Sequence, residues 1–184
     1  MAKLVSNTYG DALFELATEE NRIDELFEEI TSLKKILDEN EELSKMMNHP
    51  QISREEKEKV MSDIFSGRAS EDVCGFLKLV ITNGRFADID GILNYFIAKV
   101  KEYKKIGVAY VCTPAELSDI QKDSIEKKLL ETTEYKTMEM NYSVDKSLIG
   151  GMTIRIKDRV IDSSIKTKLE SLRKELLSVQ LNNA

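Results

Sequence analysis

In the first part of the chain, apolar side chains recur every three or four positions, which is the spacing of amphipathic helices. Six such segments follow one another, separated by short polar stretches. Ser53 and Glu56 can each bond the backbone N–H of the other, and this capping box predicts the start of the fourth helix. Asn83-Gly84 predicts the end of the fifth. We therefore expect a compact bundle of six helices.

Two of these helices have apolar faces that are wider than one core requires, since about 100° is enough for a helix that packs on one side. The first helix, from Leu4 to about Glu20, has an apolar face of ~140° at the helical spacing of its residues. The fifth, which Ser70 caps, has a face of ~160° with Leu79 on its flank. Such a helix either touches several neighbours or offers part of its face to a partner.

After Lys105 the pattern changes to that of strands. Residues 107–113 are β-branched and aromatic, and residues 137–144 alternate between apolar and polar, which predicts two strands with a helix between them. Residues 152–161 predict a strand, a reversal at Asp158-Arg159 and a return strand. Asp162 and the two serines after it can cap a final helix, because a short side-chain oxygen can accept an unpaired N–H of the first turn.

The expected fold class is therefore α+β with two domains. Residues 1–105 form the six-helix bundle, and residues 106–184 form a small α/β domain in the order β-α-β-β-α. The formal net charge of −6 supports this boundary, because it lies wholly within the first 105 residues. An acidic helical domain suits a basic or amphipathic partner helix, although acidic residues also serve solubility alone.

Composition argues against several classes of protein. With 41% hydrophobic residues in 184, the chain can form a core, and its negative charge argues against nucleic acid as a partner. No stretch approaches the ~20 apolar residues of a membrane-spanning helix, so we expect no direct membrane insertion. No secretory signal is visible at the start. Cys74, Cys112 and the single histidine, His49, lack the spacing of a disulfide framework or a zinc site.

Few residues carry catalytic chemistry. Gly150-Gly151 lacks the spacing and the lysine of a phosphate-binding loop and precedes a strand, so a bulge or tight turn is the better account. His49 has no second histidine or cysteine near it. Asp162 is a turn or cap residue first. Arg85 follows the stop of the fifth helix and is expected to anchor its terminal carbonyls. We expect no enzyme activity, no cofactor and no metal.

Three segments stand out for their specific sequences, and the third is the most specific. They are YGDALFELA at residues 9–17, ITNGRFADIDGILNYF at 81–96 and VDKSLIGGMTIRIKDRVIDSSIKTKL at 144–169. Together they resemble the delta subunit of bacterial F-type ATP synthase, whose mitochondrial relative is the oligomycin sensitivity conferral protein. The resemblance covers nearly the whole chain. It departs from the family at Lys157 and Ser163, where glycine is usual or frequent.

The resemblance implies a non-catalytic subunit of the peripheral stalk. In the family, the N-terminal domain lies on the catalytic head and the C-terminal domain holds the C-terminal end of stalk subunit b. The head is thereby kept from turning with the rotor during ATP synthesis coupled to ion transport. The protein would then be peripheral to the cell membrane on its cytoplasmic side. The alternative is a generic helical adaptor outside the synthase.

The resemblance also implies a partner site on the bundle. In the family, the N-terminal helix of an alpha subunit lies in a groove between the first and fifth helices, which here are the two with wide apolar faces. Carried onto this sequence, the groove residues are Tyr9, Ala12, Leu13 and Leu16 from the first helix and Phe76, Leu79, Val80 and Asn83 from the fifth.

Overall fold

The computed structural model describes residues 2–65, 67, 69–169 and 171–172. Its contacts divide the chain into two compact units, residues 1–101 and 102–184. The expectation of a helical first part and a small α/β second part is confirmed. The domain boundary after residue 105 stays a prediction.

The described part of the first unit is helical throughout, apart from short connections. Its helices are α1 (Ala2–Glu19), α2 (Ile23–Glu39), α3 (Glu41–Met47), α4 (Arg54–Phe65), α5 (Glu71–Thr82) and α6 (Ile89–Tyr103), with a 3-10 turn at Phe86–Asp88. The capping box before α4 is confirmed. Ser53 N–H donates to Glu56 Oε2 over 3.1 Å, and Glu56 N–H donates to Ser53 Oγ over 3.2 Å.

Ser70 at the start of α5 does more than cap its own helix. Its hydroxyl accepts the N–H of Val73. Its own N–H and hydroxyl both donate to Glu29 Oε2 on α2, over 3.0 and 2.7 Å. A carboxylate that accepts two hydrogen bonds holds the start of α5 against α2.

One apolar core unites the helices of the first unit. Its members are Leu13, Ala17, Leu26, Ile30, Leu33, Leu37, Met47, Met61, Phe65, Val73, Phe76, Leu77, Val80, Ile81, Phe86, Ile89, Ile92, Leu93, Phe96 and Val100. α5 contributes five of them, which accounts for most of its wide apolar face. Leu79 lies outside this set and is 52% exposed.

A polar contact and a close approach join α1 to α6. Gly10 has no space for a side chain, because a Cβ there would collide with the ring of Tyr95. The neighbouring Asp11 carboxylate accepts hydrogen bonds from the Lys99 ammonium and, over 2.9 Å, from the Tyr95 hydroxyl. These donors, Lys99 first, lower the pKa of Asp11 below its usual value.

In the residues that the structure describes, the second unit has a four-stranded sheet and a helix that packs on one face of it. Its elements are β1 (Ile106–Thr113), α7 (Asp119–Thr132), β2 (Thr137–Val144), a 3-10 turn at Lys146–Leu148, β3 (Thr153–Ile156) and β4 (Arg159–Asp162). The strand order is β2-β1-β3-β4, with β1 parallel to β2 and the other pairs antiparallel. Its separate core consists of Ala109, Val111, Ile125, Leu129, Met138, Ile154 and Ile156.

The summarised order β-α-β-β-α is not confirmed, because the described residues have the order β-α-β-β-β. The strand and return strand predicted within residues 152–161 are both present, as β3 and β4. The reversal between them begins one residue earlier than expected. Ile156 pairs with Arg159, so the loop is Lys157-Asp158. Lys157 has a φ of 49°, a left-handed conformation that glycine adopts more easily. The turn therefore has a backbone conformation that suits glycine, although lysine occupies the position.

Two leucines of α5, two residues apart, test the assignment of the core. Leu77 is 2% exposed and Leu79 is 52% exposed. Leu77→Ala should lower the free energy of unfolding by about 2–5 kcal/mol, the usual range for a buried leucine. Leu79→Ala should change it by less than about 0.5 kcal/mol, as is usual for surface positions. Equal losses in urea unfolding experiments would contradict the orientation of α5.

The α1–α6 contact predicts a pH-dependent contribution to stability. Because the pKa of Asp11 is lower in the folded chain, this contribution is present above its unfolded pKa of about 3.9 and is lost as the pH falls through the folded value. Asp11→Asn should therefore be less stable than wild type at pH 7, and the difference should shrink below about pH 4.

Urea unfolding at a series of pH values measures this difference. Tyr95→Phe is the matched control, because it removes one donor to Asp11 and leaves Lys99 in place. It should retain most of the pH dependence. Parallel pH profiles for wild type and Asp11→Asn would show that the contact contributes nothing.

Candidate functional site

The structure brings together residues of α1 and α5 that lie far apart in the sequence. The side-chain amide of Asn83, at the C-terminal end of α5, donates a hydrogen bond to the phenol oxygen of Tyr9 on α1 over 3.0 Å. The ring of Tyr9 also packs on the core of the first unit. The amide–phenol bond fixes the end of α5 against the middle of α1.

The eight residues predicted for the groove fall into two layers. Leu13, Phe76 and Val80 are buried in the core. Tyr9 and Leu16 are half-buried, and Ala12, Leu79 and Asn83 are exposed. We call these last five residues the α1–α5 face. A partner can reach this outer layer, whereas the three buried residues support it from beneath.

Periodicity alone could not separate the two layers. A wide apolar arc includes residues that point into the core and residues that flank it, and both have the same spacing. The signal that could have helped is the position of Leu79 at the edge of the arc of α5. The role of all eight residues in partner binding stays a prediction.

The end of α5 has a well-defined geometry that positions Asn83. Gly84 has a φ of 64° and donates its N–H to the carbonyl of Ile81 over 2.8 Å. Arg85 N–H donates to the carbonyl of Val80 over 2.9 Å. This pair of bonds is the Schellman motif, which requires a left-handed residue such as glycine after the last helical turn.

Arg85 was expected to anchor the terminal carbonyls of α5, and the structure shows a second arginine at one of them. The Arg54 guanidinium, from the first turn of α4, donates to the carbonyl of Thr82 over 2.9 Å. Arg85 is exposed and stabilises the helix end through its backbone N–H. Sequence reasoning missed Arg54 because it lies 28 residues before its acceptor.

In the second unit, the start of the helical segment that follows β4 is fixed by Gly150 and Gly151 in the loop before β3 and by Asp162 at the end of β4. Ile165 N–H donates to the carbonyl of Gly150 over 2.9 Å. A Cβ at Gly151 would collide with the carbonyl oxygen of Ser163, so only glycine allows this approach. Asp162 accepts the Thr167 hydroxyl and the Ser164 N–H, and these bonds lower its pKa.

Comparisons with known proteins give matches over nearly the whole chain. The family described as ATP synthase delta (OSCP) subunit matches residues 5–176. The chain belongs to this family. The ATP synthase subunit delta of Lachnoclostridium phytofermentans is 54% identical over 181 residues, which are 98% of this chain and 100% of that protein. That of Acetivibrio thermocellus is 33% identical over 95% of this chain and 98% of that protein.

A solved structure gives independent support for the fold. A chain in the cryo-EM structure of the Toxoplasma gondii mitochondrial ATP synthase hexamer has a TM-score of 0.76 to this one, at 19% identity. The match covers 94% of this chain and 97% of that chain. At this identity the likeness shows the fold alone.

As a member of the delta (OSCP) family, this chain is a non-catalytic subunit of ATP synthase. Within the described residues, no group of three or more histidine, cysteine or acidic side chains is placed to hold a metal ion. A cavity of about 470 Å³ lies between α4 and α5. Cys74 lines it, and burial raises the pKa of its thiol, which disfavours the reactive thiolate.

None of the helices in the described residues is both long enough and apolar enough to cross a membrane.

The Tyr9–Asn83 bond predicts an energetic coupling between α1 and α5. A double-mutant cycle with Tyr9→Phe and Asn83→Ala should give a coupling energy of about 0.5–1 kcal/mol, the lower part of the range for a hydrogen bond, because the pair is partly exposed. Tyr9→Phe keeps the ring and therefore its packing on the core. Urea unfolding of the four proteins measures the coupling.

A second cycle with Tyr9→Phe and Lys78→Ala serves as the control. Lys78 is an exposed residue of α5, the helix that Asn83 ends. Its ammonium lies 3.9 Å from Glu58 on α4. This cycle should give a coupling near zero. Equal coupling energies in the two cycles would contradict a specific bond between Tyr9 and Asn83.

Proposed function

We propose that this chain ties the catalytic head of ATP synthase to stalk subunit b, so that the head resists the torque of the rotor during ATP synthesis. Residues 1–105 are a six-helix bundle that binds the head, and residues 106–184 are a small α/β domain that docks on the stalk. The protein is peripheral to the cell membrane, on its cytoplasmic side. Membership of the delta (OSCP) family supports this role.

The observation that carries the proposal is the α1–α5 face. Leu79 is an exposed leucine on a helix whose other large apolar residues are buried, and it lies one turn before the Asn83–Tyr9 bond. Ala12 and the half-buried Leu16 complete an apolar strip on α1. Such a surface fits the apolar stripe of an amphipathic helix, and we assign it to the N-terminal helix of an alpha subunit.

The charge of the first 105 residues agrees with this partner. Their net charge of −6 favours a helix that carries basic residues beside its apolar stripe. The effect of such charge is chiefly on the rate and specificity of association, while apolar contact supplies affinity.

The second unit offers a separate apolar surface for the C-terminal end of stalk subunit b. Ile165, Leu169 and Leu172 have helical spacing and are all about half exposed. Val160 and Ile161 on the edge strand β4 are also exposed. We assign the stalk contact to the helical row first, since contiguous exposed apolar residues mark interaction sites in soluble proteins.

The alternative, a generic adaptor outside the synthase, explains the exposed apolar residues but not the family membership. Purification of the ATP synthase from the source cells separates the two hypotheses. The proposal expects this chain in the purified complex, and its consistent absence would favour the adaptor.

Leu79→Asp tests the α1–α5 face directly. The full-length chain is titrated by calorimetry with a synthetic peptide that covers the N-terminal segment of the cognate alpha subunit. The substitution should weaken binding by at least about tenfold, since it places a charge in an apolar contact. The thermal midpoint should change little, because the side chain is already exposed.

Ile120→Asp is the matched control for this titration. Ile120 is 82% exposed on α7, in the second unit, and the chemical change is nearly the same. It should leave peptide binding unchanged. If the wild-type chain does not bind the peptide saturably, or if both variants bind as wild type does, the head-binding assignment is wrong.

A further inference from the structure

Ile149 has a backbone conformation that isoleucine rarely adopts. Its φ is 62° and its ψ is −43°, and the N–H of Gly150 donates to the carbonyl of Leu148 over 2.6 Å. Together these features define a γ-turn that has a positive φ at its centre. This form of the γ-turn is rare and strained, and a positive φ is a genuine outlier for a β-branched residue.

Burial of the side chain does not offset this strain. Ile149 is 70% exposed, and it is a member of neither apolar core of the described residues. Strained conformations persist where the surrounding structure imposes them, and they concentrate at binding and switch sites. An isoleucine that is both strained and exposed is therefore a candidate contact residue for a partner.

Hydrogen bonds on both sides of the γ-turn hold it in place. Before the turn, the N–H of Asp145 donates to the carbonyl of Thr113 at the end of β1 over 2.8 Å. After the turn, the carbonyl of Gly150 accepts the N–H of Ile165 over 2.9 Å. Relaxation of the turn would disturb these bonds, so the position of Ile149 is fixed before any partner binds.

The γ-turn adjoins the exposed helical row that begins at Ile165. A Cβ at Gly150 would lie 2.5 Å from Ile165 Cδ1, so the side chain of Ile165 rests against the residue next to Ile149. Ile165 is 44% exposed, and Leu169, one helical turn later, is 54% exposed. The turn therefore extends the apolar surface of the row beyond the helix. We call Ile149, Ile165 and Leu169 the turn–helix patch.

The sequence around this patch is basic, in contrast to the acidic first unit. Residues 144–169 contain six basic and three acidic side chains, a net charge of +3 in a chain whose total is −6. Lys146 is exposed in the 3-10 turn that leads to Ile149. Lys168 is exposed three residues after Ile165, which places both on one side of the helix. Such a patch favours an apolar stripe that is flanked by acidic residues.

We propose that the γ-turn presents Ile149 as a preformed anchor for an acidic amphipathic segment of a partner. The occupant is the C-terminal end of stalk subunit b, so this inference rests on the proposed function. Ile149 and the helical row supply affinity, since a few well-packed residues usually dominate a contact. A side chain whose position is already fixed also costs less entropy to bind.

The charge of the patch separates the two partners of the chain. The first unit, with its net charge of −6, favours a basic helix, whereas the turn–helix patch favours an acidic one. Each partner is therefore repelled by the site of the other. Repulsion of the wrong partner gives specificity without any gain in affinity for the right one.

Ile149→Gly separates the needs of the fold from the needs of the partner. Glycine adopts a positive φ without steric cost, so the thermal midpoint of the full-length chain should not fall. Calorimetry measures binding of a synthetic peptide that covers the C-terminal segment of the cognate subunit b. The substitution should weaken this binding by about tenfold or more. Ile149→Leu keeps the apolar volume and should bind much more tightly than the glycine variant.

Lys168→Glu tests the charge of the patch with the same peptide. The substitution should weaken binding, and the loss should be larger at low salt than at high salt, because salt screens exposed charges. Ile120→Ala, at an exposed isoleucine on α7, is the control and should leave binding unchanged.

Each outcome bears on a different claim. Unchanged peptide binding by Ile149→Gly, with wild-type binding intact, would overturn the anchor and leave the proposed function standing. A lower thermal midpoint for Ile149→Gly would show that the fold itself needs the isoleucine, which also overturns the inference. Equal or tighter binding by Lys168→Glu would overturn the acidic character of the partner segment. Failure of the wild-type chain to bind the peptide would overturn both the inference and the proposed stalk contact.

Discussion

The rotation of α5 about its own axis decides which of its residues a partner can meet. Val73, Leu77, Val80 and Ile81 are buried, and they hold one side of the helix in the core. Because successive residues are about 100° apart, a shift by one residue would bring Leu79 into the core and expose a buried neighbour. The burial of one side therefore determines the composition of the other. The exposure of Leu79 is a consequence of the fold of the unit as a whole.

Polar contacts at both ends of α5 reinforce this rotation. At the start, Ser70 bonds Glu29 on α2. At the end, Arg54 on α4 bonds the carbonyl of Thr82, and Asn83 bonds Tyr9 on α1. Each contact goes to a different helix, so α5 is fixed at both of its ends. A surface on such a helix is preorganised, because binding need not order it first.

The sequence predicted the helices and strands well, but it predicted the contacts between them poorly. The reason is physical. The helical spacing of apolar residues and the Ser53–Glu56 capping box depend on residues close in sequence. Both can therefore be predicted from the order of residues along the chain. The Arg54 contact and the order β2-β1-β3-β4 depend on residues that meet only after the chain has folded. The groove prediction lies between these cases. Its helices could be identified, but not the depth at which Leu13 and Val80 lie.

The separation of the two cores bears on the proposed mechanical role. The residues that form the core of the first unit belong to α1–α6 and the turn before α6, and those of the second belong to the sheet and α7. The surface that each unit offers to a partner is therefore supported by that unit's own packed core. A binding site that must bear load needs helices or strands beneath it. A site on a loop would deform under load while its partner was still bound. The α1–α5 face meets this condition, because it lies on two packed helices whose Leu13, Phe76 and Val80 are buried in the core.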